Sequence, residues 1–351
     1  MTIPGLSAFY AGIVKRKNML SVLMQCFSLT CLMTVLWYTV GYSLSFSEAG
    51  NSIIGGLDKA FMAGITKASI WETIPEALWA LYQMTFAIIT PALMVGSFVE
   101  RMKFNSVMWY CALWMFAVYF PACHMVWGPG GFMAAKGVMD FAGGIVVHIT
   151  AGIGALVGAS VLGPRKENKM IAGNLVLTVL GTGMLWVGWY GFNGVSTLYI
   201  ANYSGVAAHT MVTTTISAAT GCLTCTLIGY LMDHTIDPSN ANNGILAGLV
   251  GVTSPCSTCS NFSAFVIGFS SAFVFYGSMK LMLKLKLKRK LKLMLMLKLK
   301  LKLCESSSFE QQQLTDSKVC CAIRWVVLNF CKKFINLLQK FINFLQKFRW
   351  S

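Results

Sequence analysis

Residues 140–152 read DFAGGIVVHITAG, an aspartate and a histidine set at the two ends of an apolar run rich in small residues. Their surroundings decide how they are read. The chain is 56% hydrophobic and only 11% charged, with a mean hydropathy of +0.64, far from the composition of soluble domains. It is therefore a membrane protein, and an ionisable side chain within a span is by default a candidate for a transport pathway. Eight residues of helix rise about 12 Å, so Asp140 cannot be the carboxylate that orients the His148 ring. Asp140 precedes the flexible AGG at the outer end of a span, where a carboxylate caps free amides and opposes the helix dipole, which makes a structural cap its better reading. His148 falls about a third of the way into the bilayer by helical rise. A neutral imidazole there can both donate and accept, and a pore-lining role and a satisfied interhelical histidine stand equally.

About 20 apolar residues cross a bilayer as helix, and nine candidate stretches fall near 1–14, 19–45, 76–98, 106–126, 142–162, 171–192, 207–232, 244–258 and 262–279. The first is too short to cross alone. KRKN (15–18), ERMK (100–103) and PRKENK (164–169) lie one, three and five spans along. The excess of basic residues in cytoplasmic loops then puts these connections inside, with 127–139 and 193–206 outside. Two glycosylation sequons, at Asn202 and Asn261, fall in connections placed outside. No basic stretch leading into a short apolar run and a cleavage site opens the chain, so no cleavable signal peptide is expected.

The formal charge of +16 is concentrated beyond the spans: residues 1–279 hold 11 basic and 9 acidic side chains, whereas 280–303 hold ten basic and no acidic ones. A nucleic-acid partner is thus not implied. The alternation of Lys and Leu in 284–303 has the period of a strand with one charged face, which could lie on an anionic leaflet. So repetitive a run reads more simply as low-complexity sequence. In 304–351 the repeat FINLLQK, FINFLQK places Phe334, Ile335, Leu337 and Leu338 on one face of a basic amphipathic tail, expected on the cytoplasmic side.

Several of the twelve cysteines, including Cys26, Cys31, Cys111, Cys222 and Cys225, fall within spans and do not suggest a disulfide framework. Cys222/Cys225 and Cys256/Cys259 have zinc-like spacing, but one pair lies in a span and the other at a span's end, so no metal site is expected. No phosphate-binding glycine loop, His-Glu metal motif or nucleophile elbow occurs. ATP-driven transport, hydrolysis and any cofactor are accordingly not called for, and enzymatic catalysis has no support.

Other unusual residues share the outer depth of His148: Trp127 in HMVWGPGG, Phe86 in YQMTFAIITPAL, and Phe192 with Ser196 in GWYGFNGVS. Interfacial belts and packing explain tryptophans and phenylalanines in general. Together, though, aromatic faces draw a small cation from water and a serine oxygen accepts from it. A dry path behind them favours a neutral molecule.

With SAFYAGIVKRKN and AGLVGVT, these motifs closely resemble, in order and spacing, the ammonium transporter family (Amt, MEP and Rhesus proteins). The resemblance covers residues 1–283. It implies trimers of protomers, each with its own pore through eleven helices in two inverted five-helix repeats, in a multi-pass protein of the plasma membrane. It implies ammonium and ammonia as substrate. By motif position Phe86, Trp127 and Ser196 resemble the outer recruiting site, Phe86 and Phe192 a gate of stacked phenyl rings, His148 the first of two pore histidines, and Asp140 a structural residue beside the outer site.

The departures lie at the two ends. No histidine follows His234, so the second pore histidine of the family has no counterpart. The Lys/Leu run and tail stand where helices ten and eleven should be, and the first helix is partial. The fold expected is an all-α inverted-repeat bundle with about nine of eleven helices, followed by the segments 284–303 and 304–351. Two function classes remain open: ammonium transport with ammonia passing an apolar pore, or a protein that conducts nothing, either a truncated homologue or a regulatory subunit that joins intact protomers in a trimer.

Overall fold

The computed structural model describes residues 1–165, 172–197, 204–234 and 236–282. The sequon at Asn202, part of the basic 164–169 connection, and the segments expected at 284–303 and 304–351 lie outside the described residues.

Among the described residues the chain is helical apart from one short hairpin. Helices α1 (Thr2–Ile13), α2 (Arg16–Phe46), α3 (Glu76–Phe98), α4 (Phe104–Trp127), α5 (Gly144–Leu162), α6 (Leu175–Thr197), α7 (Ser204–Asp233), α8 (Pro238–Val252) and α9 (Asn261–Met282) follow the nine expected stretches. Seven are long and apolar enough to cross a membrane; α1 and α8 are the short ones. The expected span at 244–258 is displaced toward its N-terminus, because local chemistry outweighs hydropathy there. The Asp237 side chain accepts from Ser239 N and Pro238 occupies the first turn, so the polar residues Asn240, Asn242 and Asn243 begin a helix that ends at Val252, ahead of Pro255.

Four spans carry a π-helical turn, at Trp37–Gly41, Met115–Tyr119, Gly144–Ile149 and Tyr190–Gly194. Such turns recur at functional sites because they re-aim side chains within an otherwise regular helix. Here two of them hold His148 and Phe192.

Small residues bring α1 against α6 and α7 against α8. A Cβ on Gly181 would lie 2.4 Å from Phe9 N and one on Gly248 would lie 2.1 Å from Ser217 O, so backbones touch where any side chain would part them. Buried residues form two apolar clusters. Trp37, Phe98 and Phe120 belong to the first, and Phe86, Trp189 and Phe192 to the second.

The three basic connections converge on one end of the bundle. Arg101 Nη1 donates to Gly163 O at 2.7 Å and Ala159 O at 3.3 Å. Arg165 donates to Val99 O and Gly96 O, both at 3.2 Å, and Asn18 Nδ2 donates to Glu100 at 2.6 Å. At the opposite end, residues 47–75 fold over the bundle and carry the hairpin β1 (Ile70–Trp71) and β2 (Ile74–Pro75). His124 fastens this loop, its Nδ1 3.0 Å from Ser45 O and its Nε2 2.9 Å from Asn51 O.

Overfilling a closely packed interface costs about 1–3 kcal/mol. Gly181→Val is accordingly expected to lower the thermal unfolding temperature of the purified full chain in nanodiscs, whereas Gly183→Val, where a Cβ meets nothing within 4 Å, leaves it unchanged. Equal melting of the two variants would contradict the α1–α6 packing.

Candidate functional site

The site begins with the Asp140 carboxylate, which is buried and accepts from four consecutive amides. Oδ1 takes Gly143 N at 3.0 Å and Gly144 N at 2.6 Å; Oδ2 takes Ile145 N at 2.7 Å and Val146 N at 3.0 Å. Ser254 Oγ adds a fifth bond to Oδ1 at 3.1 Å. The amides at the start of a helix have no intrahelical partners, and one carboxylate here satisfies them all. Glycines make the turn possible. Gly143 sits at φ +107°, and a Cβ on Gly144 would lie 1.9 Å from Ser254 Oγ.

The backbone of the same aspartate fixes the next component. Trp127 Nε1 donates to Asp140 O at 2.6 Å, so the end of α4 is tied to the start of α5. The Trp127 ring meets Phe86 edge to face, centroids 5.6 Å apart. Phe86, almost fully buried on α3, lies 4.6 Å from Phe192 with the planes 56° apart. The two phenyl rings are therefore tilted rather than parallel. Phe192 keeps its parallel contacts for the rings behind it: Trp189 at 5.1 Å and 29°, and His148 at 5.8 Å and 25°.

His148 lies flat on Trp189, centroids 5.4 Å apart and planes within 9°. Trp189 is held in turn by Nε1 donating to Thr253 Oγ1 at 3.1 Å. The His148 Nε2 atom is buried and has no hydrogen-bond partner among the described residues. A buried polar atom of this kind calls for an explanation, an unseen water or a passing ligand among them.

A cavity of about 310 Å³ opens above this column, lined among others by Phe86, Trp127, Asp140 and Ser196. The residues expected at an outer site thus share one chamber, with Phe192 and His148 beneath it.

Tyr82 is a component that the sequence reading passes over. Its hydroxyl, 2.7 Å from Phe192 O and 2.8 Å from Ser196 Oγ, can donate to either, while Ser196 Oγ donates to Phe192 O at 3.0 Å. With both hydroxyl hydrogens committed, Ser196 has a lone pair left to offer the cavity. Tyr82 stands in the quoted YQMTF, but a tyrosine near a span's outer end is compositionally indistinguishable from the interfacial belt. Of the paired cysteines, Cys225 Sγ donates to Ala272 O and Cys256 Sγ to Thr253 O.

The family model described as the Ammonium Transporter Family matches residues 1–294. The chain belongs to the ammonium transporter family. It is 40% identical over 282 residues to an ammonium transporter of Bacillus subtilis, covering 79% of this chain and 69% of that one. It is 36% identical over 288 residues to ammonium transporter Amt1 of Archaeoglobus fulgidus, covering 81% and 70%. Among solved structures, Mep2 of Candida albicans superimposes with a TM-score of 0.71 at 33% identity, over 78% of this chain and 61% of that one. Mep2 of Saccharomyces cerevisiae gives 0.72 at 34%, over 77% and 63%. The chain therefore spans about two thirds of the length of these relatives. Membership and the seven long apolar helices make it a multi-pass membrane protein of a transporter family.

Tyr82→Phe removes the hydroxyl that braces Ser196 and the Phe192 carbonyl. Losing a buried hydrogen bond costs about 1–3 kcal/mol when a partner is left unsatisfied. Methylammonium binding to the purified full chain is expected to weaken about threefold to tenfold in this variant. Unaltered affinity would show that the Ser196 oxygen needs no such bracing.

Proposed function

We propose that this protein recruits ammonium at the outer cavity and passes ammonia inward along the column of rings beneath it. The observation that carries this reading is the convergence of Phe86, Trp127, Ser196 and Asp140 on one chamber of about 310 Å³. Each residue then has a chemical part. The faces of Trp127 and Phe86 offer their quadrupoles to a small cation, at about 0.5–2 kcal/mol each. The Ser196 oxygen accepts one of its N–H bonds. The buried Asp140 carboxylate adds negative potential without touching the ion, its oxygens already being committed to backbone amides.

Selection follows from what lies below. Phe86 and Phe192 close the chamber floor with rings 4.6 Å apart, and leaving water for this apolar passage is costly for a charged species and far less so for a neutral one. Ammonia, and not ammonium, is therefore the species that goes on, and the proton stays behind or follows a separate route. Past the gate, His148 Nε2 is the free hydrogen-bonding atom that a transiting molecule meets. Its ring is held flat against Trp189, so the site spends little conformational freedom on each encounter.

The positive-inside bias supports an orientation in which the Arg101 and Arg165 end faces the cytoplasm and the cavity faces out, in the plasma membrane. Apolar side chains exposed on several helices, including Leu20, Leu180, Leu223 and Phe262, suit contact with lipid and with further copies of the chain. Assembly as a trimer, of identical protomers or mixed with full-length ones, follows the family resemblance.

The test is binding of radiolabelled methylammonium to the purified full chain in nanodiscs. Trp127→Leu is expected to weaken it about tenfold, the equivalent of about 1.4 kcal/mol. Equal affinity of parent and variant would contradict recruitment by the indole.

A further inference from the structure

The outer cavity is much larger than ammonium requires. At about 310 Å³ it exceeds by several-fold the ~30 Å³ share of a water-sized species. Phe86, Trp127 and Ser196 form its inner wall. Its outer wall is built from Trp71, Glu72 and Trp79, with Gln83 also lining the chamber, and recruitment as described above makes no use of these residues.

Their arrangement is specific. Trp71 on β1 stacks on Trp79 of α3, centroids 5.5 Å apart and planes within 10°. Glu72, the next residue, turns the hairpin at φ +51°, a left-handed conformation that favours glycine or asparagine and is held at a cost by other residues. Its carboxylate takes part in no hydrogen bond or ion pair among the described residues. Gln83 is 3% exposed, and its Oε1 has no hydrogen-bond partner among the described residues. A strained turn thus presents an uncommitted anion beside two stacked indoles and a buried oxygen in need of a donor.

The same indole already keeps company with an alkylammonium group. Lys59 Nζ lies 5.7 Å from the Trp71 ring, with Glu76 Oε1 at 2.7 Å to balance its charge. Each indole covers one face of the other in this stack, so it is an uncovered indole face beside the Glu72 carboxylate that suits alkylated ammonium ions, whose methyl groups spread the charge over a surface that a ring face can cover.

We propose that Trp71, Glu72 and Trp79 form a second cation subsite at the cavity mouth, which takes alkylated ammonium ions up to quaternary size. The proposal rests on the reading that the cavity collects monovalent cations. Ions with N–H bonds pass on to Gln83 and Ser196. A quaternary ion has none to give, is too broad for the Phe86–Phe192 contact, and so occupies the mouth and blocks it. The subsite therefore predicts competitive occlusion by quaternary ions that are not themselves transported.

The test is isothermal titration of tetramethylammonium chloride into the purified full chain in nanodiscs, for the parent and for Trp71→Leu, Glu72→Gln, Glu72→Asn and Trp127→Leu. Saturable binding is expected for the parent, and Trp127→Leu is expected to weaken it less than Trp71→Leu does. It is expected to weaken about tenfold in Trp71→Leu and about threefold in both Glu72 variants, the difference fading at high salt. Glu72→Asn keeps or improves the turn while removing the charge, so its loss of affinity cannot be ascribed to misfolding. Absence of saturable binding to the parent would overturn the proposal, as would binding lost in Trp127→Leu but unchanged in the Trp71 and Glu72 variants. Should methylammonium fail to bind the parent while tetramethylammonium binds through Trp71, the mouth subsite stands and the recruitment reading fails.

Discussion

One buried carboxylate organises the outer half of this bundle. Asp140 has two oxygens and accepts five hydrogen bonds, four from consecutive amides and one from Ser254. A charge in this position is costly unless fully solvated by the protein, and here the N-terminal amides of α5 supply that solvation, with the helix dipole acting in the same sense. The bond is mutual: the amides need an acceptor and the anion needs donors. Because its own carbonyl accepts from Trp127, the same residue joins α4, α5 and the segment that follows α8.

The consequences run in both directions along the path. Outward, Trp127 is held against Phe86 and forms one wall of the chamber. Inward, the capped turn is π-helical, and His148 on that turn lies flat on Trp189 with Nε2 uncommitted. In the proposed function, recognition of a cation and handling of a neutral molecule therefore depend on one local structure, although about 12 Å of helical rise would separate the two residues in a regular helix. Tyr82 plays the corresponding part from α3, where a single hydroxyl positions both Ser196 and the backbone of Phe192. The rings would supply the dry barrier of the proposed pathway, and Phe192 lies more nearly parallel to His148 and Trp189 than to Phe86.

Much of this is legible from residue types and spacing. Long apolar stretches give most of the helices to within a few residues, since bilayer thickness and helical rise leave little freedom. The basic connections point to a common end, and there Arg101 and Arg165 do lie together, anchored on neighbouring carbonyls. Asp140 can be distinguished from a ligand of His148 by arithmetic alone. What escapes is pairing across the fold. Nothing in the sequence joins Ser254 to Asp140 or Tyr82 to Ser196, pairs separated by 114 residues in each case, and no hydropathy window shows that Asp237 and Pro238 start a helix among asparagines. The tilt of the phenyl pair is likewise a packing outcome that spacing cannot express. Trp71 and Glu72 lie in a polar loop and acquire their interest only when the hairpin places them over the cavity.

The central claim is that the Asp140 cap holds the outer site together, and it is tested most directly by measuring thermal stability and methylammonium affinity side by side in Asp140→Ala and Asp140→Asn. Loss of the carboxylate in Asp140→Ala strands several amides, at about 1–3 kcal/mol for each that water does not reach, and displaces Trp127 with them. The account predicts that stability and affinity fall together in Asp140→Ala and recover in part in Asp140→Asn, whose side-chain oxygen can still accept. An Asp140→Ala protein that melts and binds methylammonium like the parent would contradict it.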